Sequence, residues 1–277
     1  MNNTTKRYEA NNEVILDEYK LKDTDLYQFG CELEFYIDEK NHNYLEVIEI
    51  LRKEISTFCD VDILVDLTNL PTDEDKNNCV QIKPDQSLED NGIEISIPIT
   101  SQEGVKYYIK KILPLIKEYG YTNKDTGLHF HISTIGKDGA NFNFYLYMLM
   151  CHDKELLSSW QPRIGYSQNV MDILSKNTKA LSREIKNAKG TIWNLEKLET
   201  NHIEIKSIGG EGYHKEIDKI FEEFDKYVEC FNCVFKNREP EYIQKLKTDH
   251  KEQIKNSDKE KVAQFSSAVS EAGLLPD

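Results

Sequence analysis

The stretch Phe29-Gly30-Cys31-Glu32-Leu33-Glu34-Phe35-Tyr36-Ile37 decides how this chain is read. In a β-strand successive side chains alternate between faces, so Cys31, Leu33 and Phe35 share one side while Glu32 and Glu34 share the other. The two carboxylates then stand close together. Like charges at that separation repel and raise each other's pKa, so a chain that keeps them supplies a cation or a shared proton. The alternative is a solvated strand face, with both acids in water.

Working outward, the pattern alternates strands with helices. A strand at 27–37 is followed by a helix at about 43–58, where Leu45, Ile48, Leu51, Ile55 and Phe58 recur at helical spacing behind Asn43 as a cap. Residues 61–67 and 79–83 read as strands, and Gly92-Ile93-Glu94-Ile95-Ser96-Ile97-Pro98 is a further apolar run. A helix at about 102–119 carries Val105, Ile109, Ile112, Leu113 and Ile116 on one face, with Gly120 as its stop. A strand at 127–133 follows, then helices at about 140–158 and 167–187, a last strand at 201–208, and a helical pattern from 214 onward that Pro240 interrupts. This order predicts an α+β fold with one sheet backed by helices. Residues 1–26 read as a polar N-terminal arm, 27–235 as the main domain and 236–277 as a charged helical tail.

Composition narrows the function classes. The 277 residues carry a formal charge of −14, which argues against a general nucleic-acid binder because phosphate neutralisation needs a basic surface. No run approaches the length of a membrane span and the start lacks a signal-peptide core, so the expectation is a soluble, cytoplasmic protein with no membrane partner. The six cysteines have no disulfide-framework spacing and read as reduced thiols. Cys230 and Cys233 sit in a helical pattern without a second pair, which favours packing over zinc.

Three further segments repeat the logic of the first. In Gly127-Leu128-His129-Phe130-His131, alternation puts both imidazoles on one strand face, a way to aim two nitrogens at a metal or a phosphate. In His202-Ile203-Glu204-Ile205-Lys206 the polar residues again share one face, which also fits a salt-bridge ladder. Glu94 is a single acid in an apolar run, and Arg163 lies in a loop after a helix, where an arginine is commonly a surface residue. A sheet face lined by Glu32, Glu34, Glu94, His129, His131 and Glu204 would need cations to be tenable at neutral pH. Oxygen ligands with one or two imidazoles suit Mg2+ or Mn2+, which commonly serve phosphate transfer from a nucleotide.

These motifs, in this order, resemble the carboxylate-amine ligase superfamily that contains glutamine synthetase and glutamate-cysteine ligase, and most closely its amidoligase branch. Gly30-Cys31-Glu32-Leu33-Glu34-Phe35 resembles the opening Gly-x-Glu-x-Glu-Phe strand. Asp85-Gln86-Ser87 with Gly92-Ile93-Glu94-Ile95-Ser96, then Gly127-Leu128-His129-Phe130-His131, then Pro162-Arg163 with Tyr166, resemble the segments that follow. Asn194-Leu195 before Ile203-Glu204-Ile205-Lys206 resembles the closing strand, with Lys206 where that family has Arg. A lysine keeps the charge and loses the planar bidentate fork.

The resemblance implies a curved, mainly antiparallel sheet lining an active-site bowl. It implies Glu32, Glu34, Glu94, His129 and Glu204 as ligands of Mg2+ or Mn2+, His131 as a phosphate contact, and Arg163 and Lys206 as catalytic cations on the transferred phosphoryl group of ATP. The implied partners are a small-molecule or peptide carboxylate and an amine, with the terminal extensions suited to docking another protein or a second copy. Two other readings stand beside it: a non-catalytic nucleotide- or metal-binding protein on the same fold, and a metal-dependent hydrolase.

Overall fold

Period-two burial in the central strands sets the architecture. The computed structural model describes residues 5–10, 17–22, 25, 27–68, 76–88, 91–135, 147, 150–151, 160, 192–194, 197 and 202–235. Among these, nine strands form one sheet: β1 (Thr5–Tyr8), β2 (Tyr27–Ile37), β3 (Ile63–Asp66), β4 (Val80–Pro84), β5 (Gly92–Ser96), β6 (Gly120–Tyr121), β7 (Gly127–Thr134), β8 (Trp193–Asn194) and β9 (His202–Gly209). The order across the sheet is β1-β3-β4-β5-β2-β7-β9-β8, with β6 paired to the end of β2. Neighbours are antiparallel except β3 and β4, which run parallel. The α+β class with a mainly antiparallel sheet is therefore as expected.

Helices α1 (Tyr44–Ser56), α2 (Gln102–Tyr119) and α3 (Ile217–Phe235) cover one face. Asn43 caps α1 as anticipated: its side chain accepts from the backbone N–H groups of Leu45 and Glu46. The core joins Phe29, Cys31, Leu33 and Phe35 of β2 and Leu128, Phe130 and Ile132 of β7 to the apolar stripes of the helices. Phe130 stacks on Phe224 of α3 with ring centroids 4.3 Å apart, and Phe29 meets the same ring edge-on at 5.7 Å. Cys230 and Cys233 lie within α3, and all six cysteines are free thiols. No helix among the described residues is long and apolar enough to cross a membrane.

Three local features differ from the sequence expectation. Residues 5–8 of the expected arm form β1, the edge strand, paired with β3 from Thr5↔Asp66 to Tyr8↔Ile63. The segment is too short and polar to show a hydrophobic period, so tertiary pairing decides it. Gly120 ends α2 as expected, but in extended backbone rather than the left-handed turn. Its missing side chain matters for another reason: a Cβ there would lie 2.5 Å from the Tyr36 carbonyl and 2.7 Å from the Phe35 ring. Finally, β7 and β9 shift register between Leu128 and Phe130. Strict alternation from His202 would turn Ile208 toward the polar face, and the bulge returns it to the core, where it is fully buried.

The expected helix at 140–158 is described at Tyr147, Met150 and Cys151, which are helical and buried. The expected helix at 167–187, Arg163 and the tail 236–277 lie outside the described residues.

Candidate metal centre

The face of the sheet opposite the helices carries the polar residues in rows. Register places Glu32 directly across from His129 on one side and Ser96 on the other. Glu34 faces Glu94, and His131 lies between Gly30 and Glu204. Asn194 of β8 completes the last row opposite Glu204.

His129 is the hub of this arrangement. Its Nδ1 lies 3.4 Å from Oε2 of Glu32 and 3.4 Å from Oε1 of Glu204, and its Nε2 lies 3.4 Å from Oε1 of Glu34. One nitrogen thus faces two carboxylates, and a single N–H satisfies at most one of them. All three separations are longer than the commonest N–H···O lengths, and the one from Nδ1 to Glu32 is a long hydrogen bond. They come close to the roughly 3 Å that adjacent ligands of a cation with ~2.1 Å bonds span. Glu32, His129 and Glu204 each offer one ligand atom within 4.8 Å of the other two. Carboxylate oxygens with an imidazole nitrogen are a donor set that fits Mg2+ or Mn2+.

Each ligand is held from behind. The backbone N–H of Gly127 donates to Oε2 of Glu34 at 2.7 Å, and the Tyr213 hydroxyl donates to the Glu34 carbonyl at 2.8 Å. Asn194 Nδ2 donates to Oε2 of Glu204 at 2.6 Å, while Lys206 Nζ stands 2.9 Å from its Oε1. His131 Nε2 lies 3.3 Å from Oε1 of Glu32, and its Nδ1 is 3.0 Å from Nε2 of His202, whose Nδ1 meets the Ser133 hydroxyl at 2.9 Å. Such outer partners fix ring orientation at metal sites.

Electrostatics separates the acids into two kinds. Burial pushes the Glu32 carboxyl up, but His131 and His129 beside it outweigh that and hold it well below its ordinary value. For Glu204 burial is likewise outweighed, by His129, His131 and Lys206, so its pKa is lowered. Glu94 goes the other way: burial and repulsion from Glu32 raise it, against the pull of Lys83. Burial and the neighbouring His131 push His202 down to about 4.

The structure thus brings together Glu32, Glu34, His129, His131, Glu204 and Lys206. Glu94 stands on the same face one strand away, with Lys83 Nζ 3.0 Å from its Oε1 and the Ser96 hydroxyl donating to the same oxygen. Lys83 is the residue that sequence reading overlooked. Its signal was alternation with Gln81 on β4, but only the register Lys83↔Glu94 reveals its partner. No protein-family model and no curated protein matches this chain.

Proposed function

We propose that the protein is an ATP-dependent carboxylate-amine ligase, forming an amide through an acyl-phosphate intermediate, on a sheet that acts as the wall of a glutamine synthetase-like bowl. The observation that carries this reading is that Nδ1 of His129 faces carboxylate oxygens of both Glu32 and Glu204 at 3.4 Å, which a single N–H cannot satisfy together and which suits a divalent cation. Glu32, Nδ1 of His129 and Glu204 would hold Mg2+ or Mn2+, with Glu34 at Nε2 on the other edge of the ring. The bound ion would offset the charge of the nucleotide phosphates.

The chain's own groups do the remaining work. A carboxylate is a poor acyl donor until one of its oxygens becomes a good leaving group. In the proposed reaction that oxygen attacks the γ-phosphorus of ATP and ADP departs. The amine then attacks the acyl carbon, and phosphate leaves with the oxygen. His131 and Lys206 line the face where phosphate charge would gather, and Arg163 joins them by resemblance. Glu34, anchored by Gly127, and Glu204, anchored by Asn194, keep their positions during this exchange.

ADP release, measured with Mg2+, ATP and pools of carboxylic acids and amines, tests the reading. Turnover that needs both an acid and an amine, and that Glu32→Gln and Glu34→Gln abolish, is the expected result. Tight binding of Mg2+ and ATP without turnover by any pair would sink it. Turnover without nucleotide would instead identify a hydrolase. One contact favours a second reading, a non-catalytic binding protein: Lys206 already stands on the Glu204 oxygen that faces His129. On that reading Lys206→Arg leaves nucleotide binding unchanged and brings no turnover.

A further inference from the structure

Ser133 and His202 have no part in the proposed ligase reaction, yet they stand in a connected row of polar atoms. Gln28 of β2, Ser133 of β7 and His202 of β9 are side by side in register, one row from Gly30, His131 and Glu204. The Ser133 hydroxyl lies 2.9 Å from Nδ1 of His202, and Nε2 of His202 lies 3.0 Å from Nδ1 of His131. Nε2 of His131 in turn faces Oε1 of Glu32 at 3.3 Å. Ser133, His202, His131, Glu32 and Gln28 all line one cleft of roughly 460 Å³, a size that suits a small molecule.

Glu32 decides which way the protons run along this row. A neutral imidazole has one N–H and one lone pair, so two neutral rings in a chain allow two arrangements: every donor toward Glu32, or every donor away from it. In the second, a lone pair of His131 would face a carboxylate oxygen at 3.3 Å, and the two would repel. The first is therefore favoured. His131 turns its Nε2–H to Glu32 and accepts at Nδ1 from Nε2–H of His202, which leaves Nδ1 of His202 to accept from the Ser133 hydroxyl. Glu32 fills this place and still serves a cation, because Oε1 faces His131 while Oε2 faces His129.

A serine beside a histidine is an ordinary cross-strand pair. A serine whose proton points at a lone pair, on a ring held from behind by a second ring and a carboxylate, is the order of groups that activates a hydroxyl. We propose that Ser133 is a nucleophile, with His202 as its base, and that the cleft takes small acyl esters. Ser133 Oγ attacks the ester carbonyl carbon as its proton passes to Nδ1 of His202, and His131 with Glu32 behind it faces the positive charge that forms. Gln28, across from Ser133, is placed to donate to the oxyanion. The bond from the carbonyl carbon to the alkoxy oxygen breaks, the departing alcohol takes the proton from His202, and the acyl group stays on Ser133. Water then attacks the acyl carbon and gives one proton to His202, which returns it to Ser133 Oγ as the acid leaves. Ile97 and Ile99 in the cleft lining suit a short acyl chain. The step consumes neither nucleotide nor metal, so it stands or falls apart from the ligase reading.

The full chain, kept in EDTA and mixed with p-nitrophenyl acetate, tests this. The expected result is a burst of p-nitrophenolate followed by slower turnover, with one acetyl group that peptide mass spectrometry maps to Ser133. Ser133→Ala gives no burst, and His202→Gln slows acylation by about 100-fold or more. Nitrogen NMR of the histidine side chains needs no variant and keeps the proposal testable if these proteins do not fold: His202 is protonated at Nε2 and bare at Nδ1. Acetyl groups on lysines with Ser133 untouched overturn the proposal, as does a His202 ring protonated at Nδ1. Hydrolysis that EDTA abolishes and Mn2+ restores also overturns it, and assigns the activity to the metal centre.

Discussion

The two faces of the sheet differ in how densely charge is gathered. On the open face acids, imidazoles and lysines are set against one another: Lys83 on Glu94, Lys206 on Glu204, His129 among three carboxylates, with His202 at the margin pushed down to about 4 by burial. Around the helix-covered face, buried ionisable groups give up their charge. Burial pushes Glu223 of α3 up to about 7, with Lys219 and Lys226 pulling against it. Burial takes His214 down to about 4, helped by Lys215 and Lys117. His214 Nδ1 faces the hydroxyl of Thr122 at 2.9 Å, and that oxygen accepts from the Gly212 N–H at 2.8 Å, a setting that suits a neutral ring. The contrast teaches where charge is placed: behind the sheet the buried ionisable groups are few and pushed toward neutrality, in front acids, imidazoles and lysines are packed against one another.

The largest test of that contrast is a deletion on each side. Phe130→Ala removes a fully buried ring stacked on Phe224, and chemical denaturation should show a loss of about 3–5 kcal/mol. A Glu32→Gln change on the open face removes the carboxylate that His131 and His129 hold ionised, so it should lower the denaturation midpoint at pH 7 by less than the Phe130 variant does and weaken Mn2+ binding by about 100-fold or more, read by titration. A Glu32→Gln protein as unstable as the Phe130 variant would break the comparison.

Within the open face, Glu94 and Glu204 each have a lysine beside them, but Glu94 alone of the three acids Glu32, Glu94 and Glu204 has its pKa raised. Lys83→Met leaves Glu94 buried beside Glu32 without that cation, and should cost about 3 kcal/mol. Adding Glu94→Gln to that variant should restore most of the loss, because the charge needing compensation is gone. If the double variant is as unstable as the single one, Lys83 acts by packing alone.

The smallest effects are in pH. His214 in the folded protein titrates near 4 rather than at its ordinary value near 6.5, so between these values the unfolded chain binds the extra proton. Its neutral form contributes stability above pH 6.5 that is lost as the pH falls toward 4. Glu223 has the opposite sign: its raised pKa makes the folded chain bind the extra proton between about 4.5 and about 7, so stability is lost as the pH rises through that window. Denaturation midpoints of His214→Gln across pH 4–7 should fall less steeply toward acid than those of the unaltered protein. Glu223→Gln should be stabilised at pH 8, by roughly 1–3 kcal/mol.

The sequence by itself determined which residues share a face. Period-two alternation put Glu32 with Glu34 and His129 with His131, away from Leu33 and Phe130, and helical spacing with Asn43 as a cap and Gly120 as a stop marked α1 and α2. That information is local, since it follows from covalent geometry along one strand or one helix. Which carboxylate meets which cation was decided by the tertiary structure. The register that sets Glu94 against Lys83 rather than at His129, the bulge that returns Ile208 to the core, and the pairing of β1 with β3 all join segments distant in the chain. A strand shifted by one residue turns every side chain to the other face, so register is fixed by burial of the whole sheet and cannot be read from any one strand.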